Sequence, residues 1–224
     1  MDTQCLRPEE TVCFTGHRVI SDADMPRLLI SLDHAITKSC LNGYRSFLCG
    51  GARGFDTVAA EAVLRCKRTN PEIRLIIAVP CRTQADRWSV SDKEKYRMIL
   101  DQADQVIVLS ESYYEGCMHR RNRFMVDHSS LCLCYLIHFS GGTWYTVRYA
   151  FHQGIAINNL AVQARHANVL KENPWNFIYT SRSAKESVSI VHLCHSRQMR
   201  IKRKNTLMLL SGKRRKDPLN LQNR

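Results

Sequence analysis

Short apolar runs punctuate the first 160 residues, at Thr11–Thr15, Ser46–Cys49, Arg74–Val79, Gln105–Leu109, Leu131–Phe139 and Ile155–Leu160. They are rich in β-branched or aromatic side chains and show little polar alternation, the pattern of strands buried on both faces. Segments of helical period lie between them. Met25, Leu28, Leu29, Leu32, Ala35 and Ile36 recur at three- and four-residue steps behind Asp22 and Asp24, which mark a helix start. The stretches Asp56–Leu64, Ser91–Leu100, Met118–His128 and Thr143–Phe151 repeat that period. Asn42-Gly43 and Gly154 stand where a left-handed residue ends a helix. The alternation predicts an α/β fold: an open, mostly parallel sheet of about six strands with helices on both faces. Right-handed crossovers bring every strand's C-terminal end to one edge, where open α/β sheets bind ligands.

The residues just after the strands therefore carry the functional reading. The first run leads into Gly16, His17 and Arg18; the second into Gly50-Gly51-Ala52-Arg53-Gly54-Phe55-Asp56 and directly into a helix. A glycine-rich turn opening a helix points backbone N–H groups at an anion beside the positive end of the helix dipole. A second such turn, Gly141-Gly142-Thr143 with Thr146 behind it, follows the fifth run. Two glycine pairs at two helix starts of one sheet form a far more specific signal than one. Each residue also has a plainer reading. Asp56 suits a helix N-cap, His17 suits a hydrogen-bonded turn histidine, and Trp88 suits packing better than base stacking. If Gly51 touches a ligand phosphate, a bulky replacement there is expected to abolish binding without unfolding the domain.

Several chemistries are excluded or disfavoured. There is no GxxxxGK[ST] phosphate loop, no GxSxG elbow, and Gly50-Gly51-x-x-Gly54 is not the GxGxxG of a dinucleotide fold. His192-x-Cys194-His195 and Cys132-x-Cys134 are local His/Cys clusters without a second ligand pair at finger spacing, so no metal and no required cofactor are expected. Ten cysteines, several inside apolar runs and none in a CxxC pair, suit reduced buried thiols. No apolar stretch has the length of a membrane helix, and the first residues lack the basic and apolar parts of a secretory signal. The expectation is a cytoplasmic protein.

The net charge of +13 on 224 residues is uneven. Residues 1–160 hold 19 Lys and Arg against 17 Asp and Glu, whereas residues 161–224 hold 14 against 3. The basic character belongs to the C-terminal part, through Arg200-Ile201-Lys202-Arg203-Lys204 and Lys213-Arg214-Arg215-Lys216. The chain divides into a ligand-binding domain over residues 1–161 and a basic extension over 162–224, partly docked or disordered, with Pro174–Tyr179 as a docked segment. Residues 197–216 are candidates for weak contact with nucleic acid or an anionic surface.

Phe14-Thr15-Gly16-His17-Arg18, the Gly50–Asp56 turn, Gly116-Cys117 with Arg121-Asn122-Arg123-Phe124-Met125, and Gly141-Gly142-Thr143 with Thr146 together resemble the YpsA-like branch of the SLOG (SMF/DprA–LOG) superfamily. The resemblance covers roughly residues 8–161. It implies a Rossmann-like fold and a nucleotide-derived ligand of ADP-ribose type. It places that ligand among Gly16, His17, Arg18, Gly50, Gly51, Arg53, Gly54, Asp56, Arg121, Asn122, Gly141, Gly142, Thr143 and Thr146. The LOG members of the superfamily hydrolyse nucleotide N-glycosidic bonds, and Arg121 falls on their functional arginine. Their catalytic glutamate has no counterpart, because Arg148 stands in its place. The implied function is a sensor or regulatory protein; the alternatives are a LOG-type hydrolase and DprA-like nucleic-acid binding through the basic tail. A homodimer is implied by analogy with LOG proteins.

Overall fold

A computed structural model of the chain describes residues 6–161, and the basic extension expected from the sequence, including Pro174–Tyr179 and His192–His195, lies outside the described residues. The element order is β1 (Thr11–Gly16), α1 (Met25–Leu41), β2 (Ser46–Cys49), α2 (Phe55–Lys67), β3 (Arg74–Val79), α3 (Val90–Gln102), β4 (Gln105–Val108), α4 (Cys117–Asp127), β5 (Leu131–Tyr135), α5 (Gly141–Gln153) and β6 (Ala156–Asn159). A short 3₁₀ turn, Pro8–Glu10, precedes β1. Every strand pairing is parallel, and the strand order is β4-β3-β2-β1-β5-β6. This is the open Rossmann-like sheet that the alternation predicts.

Side chains alternate across the sheet into two cores. Val12 and Phe14 of β1, with Leu75, Ile77 and Val79 of β3, pack under Leu28, Leu32 and Ile36 of α1, Phe55 and Ala59 of α2 and Ile99 of α3. Cys13, Ile76, Ala78, Cys132 and Cys134 face the other way, under Met125 and Val126 of α4 and Val147 and Ala150 of α5. Helices thus cover both faces, as the two-sided burial of the strands requires.

The chain steps outward from β1 to β4, then crosses back on α4 to β5 on the other side of β1. The loops after β1 and β5 diverge there, which makes their junction the topological switch point of the sheet. An aromatic group pins this region. Phe14 stacks on Phe47, Phe55 stacks on Tyr135 with centroids 6.1 Å apart, and all four are fully buried. Each such burial stabilises by roughly 1.5–3 kcal/mol. Because Phe55 is the first residue of α2, its ring fixes where that helix begins.

One boundary differs from the sequence pattern. The apolar run from Leu131 continues to Phe139, but β5 ends at Tyr135. Side chains replace the strand partner beyond it: Leu136 N–H donates to Asn159 Oδ1 at 3.0 Å, and Asn159 Nδ2 donates to the Leu136 carbonyl at 2.9 Å. The amides of Ile137 and His138 both donate to His17 Nε2, at 3.0 and 3.1 Å. With its polar groups satisfied this way, the backbone leaves the sheet despite its apolar side chains.

Candidate functional site

Three consecutive strands, β2, β1 and β5, deliver the predicted residues to one edge. The turn after β2 is built from inside the protein. Gly51 has φ +61° and Gly54 has φ +78°, conformations that side chains other than glycine rarely adopt. A Cβ on Gly50 would overlap the Arg121 guanidinium and the Asp56 carboxylate; one on Gly54 would overlap the backbone of Arg18; one on Gly16 would overlap Phe55. These glycines are therefore required by the protein's own packing. The expectation that a bulky residue at Gly51 leaves folding intact is at odds with its surroundings. Its left-handed φ and a Cβ 3.0 Å from both Ile77 and Tyr96 predict destabilisation there.

Arg121 reaches under this turn from α4. It is buried, donates to the Gly50 carbonyl and, at 3.4 Å, to the Ala78 carbonyl, while its Nε donates to Asn122 Oδ1 at 2.8 Å. Asp56 is buried beside it and accepts from the Ala52 N–H at 3.2 Å. Burial pushes the Asp56 carboxyl above its ordinary value of 3.8, against the opposing pull of the Arg121 charge. Asp56 is not the N-cap of α2; Gly54 holds that position, and Asp56 lies inside the first turn. Its carboxylate fastens the turn that precedes the helix.

Gln84, only weakly marked by its place after a strand, clamps the same turn. Its Nε2 donates to the Gly50 carbonyl at 3.4 Å and to the Gly51 carbonyl at 3.1 Å. Its neighbour Tyr96 has its hydroxyl pushed up to about 12, chiefly by burial. Trp88 packs edge-on against Tyr96, with centroids 5.3 Å apart, and Arg53 sits over the indole at 5.7 Å. The packing reading of Trp88 therefore describes its contacts. Arg53 also pairs with Asp92 at 3.4 Å, so both it and the exposed Arg18 line the rim.

At the switch point His17 ties β1 to the β5 loop. Its N–H donates to the Tyr135 carbonyl, its carbonyl accepts from Phe55, and its ring accepts the two amides already described. An acceptor role at Nε2 requires a neutral ring. Burial, followed by the nearby His138 ring, lowers the His17 pKa from 6.5. His17 is a hydrogen-bonded turn histidine.

The second glycine pair shares with the first one left-handed residue, Gly141 at φ +72°, but differs from it in its surroundings. Gly141 and Gly142 are exposed, and a Cβ on either would meet nothing within 4 Å. Gly142 also has no left-handed φ, so neither conformation nor packing explains its missing side chain. Ser140, at the N-cap of α5, makes no side-chain cap, leaving the first amides of the helix without a capping side chain. Thr143 and Thr146 are buried below, and Thr146 Oγ1 donates to the Gly142 carbonyl at 2.8 Å, holding the first turn. His119 of α4 packs on Tyr145 of α5 at 4.2 Å, joining the two helix starts. Arg148 is exposed, its guanidinium 5.9 Å from the Trp144 ring centre. Among the described residues no group of three or more His, Cys, Asp or Glu side chains could hold a metal, and no helix could cross a membrane.

The model of the YspA SLOG family matches residues 16–153, which include both glycine turns and Arg121. The prophage-derived protein YoqJ of Bacillus subtilis is 32% identical over 136 residues, which span 55% of this chain and 78% of YoqJ. A UPF0398 protein of Halalkalibacterium halodurans is 35% identical over 89 residues, 39% of this chain and 47% of that protein. The match to this second protein spans about half of its length. Among solved structures, DNA processing protein A of Helicobacter pylori, which binds single-stranded DNA, shares the fold at 18% identity and a TM-score of 0.52, over 70% of this chain and 68% of that one. With both the fold and most of the described residues matched, the chain belongs to the YspA SLOG family.

Proposed function

We propose that the chain is a sensor-type binding protein for a nucleotide-derived ligand of ADP-ribose type, working in the reducing cytoplasm. The observation that carries this reading is Gly142, an exposed residue at an uncapped helix start with no internal reason to lack a side chain. A phosphate group approaching the amides of Gly141, Gly142 and Thr143 supplies that reason, since helix N-termini favour anions. The turn after β2 frames the other side of the switch point. There the buried charge of Arg121 adds positive potential, while Arg18 and Arg53 offer guanidinium groups on the rim. Binding rather than hydrolysis is favoured because the buried Asp56 carboxylate fastens a turn, and Arg148 stands where a LOG-type acid would fall.

Native mass spectrometry of the full chain with AMP, NAD and ADP-ribose tests this, reading both the retained mass and the released products. Retention of an intact nucleotide is expected. Accumulating free base or ribose phosphate would replace the sensor by a hydrolase, and no retention with no product would refute both.

A second reading concerns polyanions. The surplus of 11 positive charges over residues 161–224, against 2 over residues 1–160, favours contact with nucleic acid through residues 197–216. The single-stranded DNA binding of the Helicobacter pylori protein, which shares the fold, makes nucleic acid the anion to try first.

A further inference from the structure

Among the described residues, one buried side-chain polar atom has no hydrogen-bond partner: Oε1 of Gln84. The residue is 9% exposed. The orientation of its carboxamide is fixed by chemistry, because a reversed amide would aim Oε1 at the carbonyl oxygens of Gly50 and Gly51, which now accept from Nε2. One end of the amide is thus bound to the glycine turn, and the other is an acceptor without a donor. An unmatched buried acceptor destabilises a fold by about 1–3 kcal/mol. Such groups in native proteins call for an explanation in structure or function.

We propose that Gln84 is a ligand-reading residue: its Oε1 accepts a hydrogen bond from a donor group, hydroxyl or amino, of a nucleotide held at the α2 side of the switch point. This rests on the nucleotide-binding reading above and adds its chemistry. The side chain lies against Gly51, at the start of the turn that opens α2, so a ligand at that turn comes beside it. Oε1 is covered in this structure. The donor therefore meets it as the loop between β3 and α3 shifts, where Trp88 is only partly buried beside the partly buried Tyr96 of α3. A site with a buried acceptor rejects analogues that lack the matching donor, because the acceptor is then desolvated without a partner. The donor could come from the ribose or from the base, and the probes below separate these sources.

The test is a cycle of ligand and side-chain changes in the full chain, measured by isothermal titration. The probes are AMP, its 2′-deoxy and 3′-deoxy forms, and IMP, each against wild type and Gln84→Met. One analogue is expected to bind wild type at least about tenfold more weakly than AMP, a loss equal to one hydrogen bond. In Gln84→Met that ratio should collapse to within about twofold, since the variant has no acceptor. A merely structural Gln84 would weaken all probes alike and leave the ratio unchanged, which overturns the proposal. Gln84→Glu keeps an acceptor while losing the Nε2 donor, and should retain the discrimination even if its overall affinity falls. If AMP binds wild type and all analogues match it, the Gln84 proposal fails alone; if no probe binds, the nucleotide reading fails with it.

Discussion

Replacing Gly142 with alanine separates a glycine kept for a ligand from one kept for the fold. Gly142 lies in the first turn of α5, outside the left-handed region, and a methyl group there would meet nothing within 4 Å. Alanine is favoured over glycine within a helix by roughly 0.5–1 kcal/mol, mainly because it restricts the unfolded chain. Neither a clash nor a strained dihedral opposes that gain here. Gly142→Ala should therefore raise the melting temperature by about 1–4 °C for a domain of this size. The same methyl group stands where a phosphate would approach the helix amides, so affinity for AMP or ADP-ribose should fall at least about tenfold, the equivalent of 1.4 kcal/mol. Calorimetric melting and isothermal titration on the same preparation give both numbers. A lower melting temperature would show an unseen internal role for this glycine, and unchanged affinity would refute the phosphate assignment.

The opposite outcome is expected at Gly50, where alanine would displace Arg121 from two backbone carbonyls beside Asp56. A loss of about 3 kcal/mol in urea denaturation is expected, and a neutral result would contradict the packing account. Stability should fall on acidification through His17. Its folded-state pKa lies below 6.5, so its contribution is present above that value and is lost as pH drops through the folded pKa. In denaturation curves between pH 7.5 and 5, His17→Gln should flatten this dependence; an unchanged slope would assign it to other groups. Changing Lys202, Arg203, Lys204, Lys213, Arg214 and Arg215 to serine should weaken retention of single-stranded DNA and lower the salt slope by about 0.7 per lost phosphate contact, with AMP affinity unaltered.

The fold was legible in the sequence because strands buried on both faces leave uninterrupted apolar runs. Each run became a strand, although the edge strands β4 and β6 are only partly buried rather than covered on both faces. The overshoot of β5 to Phe139 shows the limit of that pattern. Hydropathy reports burial, whereas the strand ends where Asn159 and His17, distant in sequence, take over the backbone hydrogen bonds. Both glycine turns were visible too, but not their difference. Whether a glycine makes room for a neighbour, as at Gly50, or faces open space, as at Gly142, depends on what the fold brings beside it. Arg121 stood out through the family motif, yet its sharing of the turn with Asp56 and Gln84 joins α4, α2 and the loop after β3, and no local spacing records that. Gln84 carried only a weak sequence signal, because one glutamine after a strand looks like any surface loop residue.

The proposed function depends on an anion binding at the start of α5. Amide resonances of the full chain, followed by two-dimensional ¹H–¹⁵N NMR during titration with ADP-ribose, test it most directly. The amides of Gly141, Gly142 and Thr143 should shift together and saturate, and Gly142→Ala should suppress those shifts. Saturating shifts confined to other surfaces, with these amides unmoved, would contradict the account.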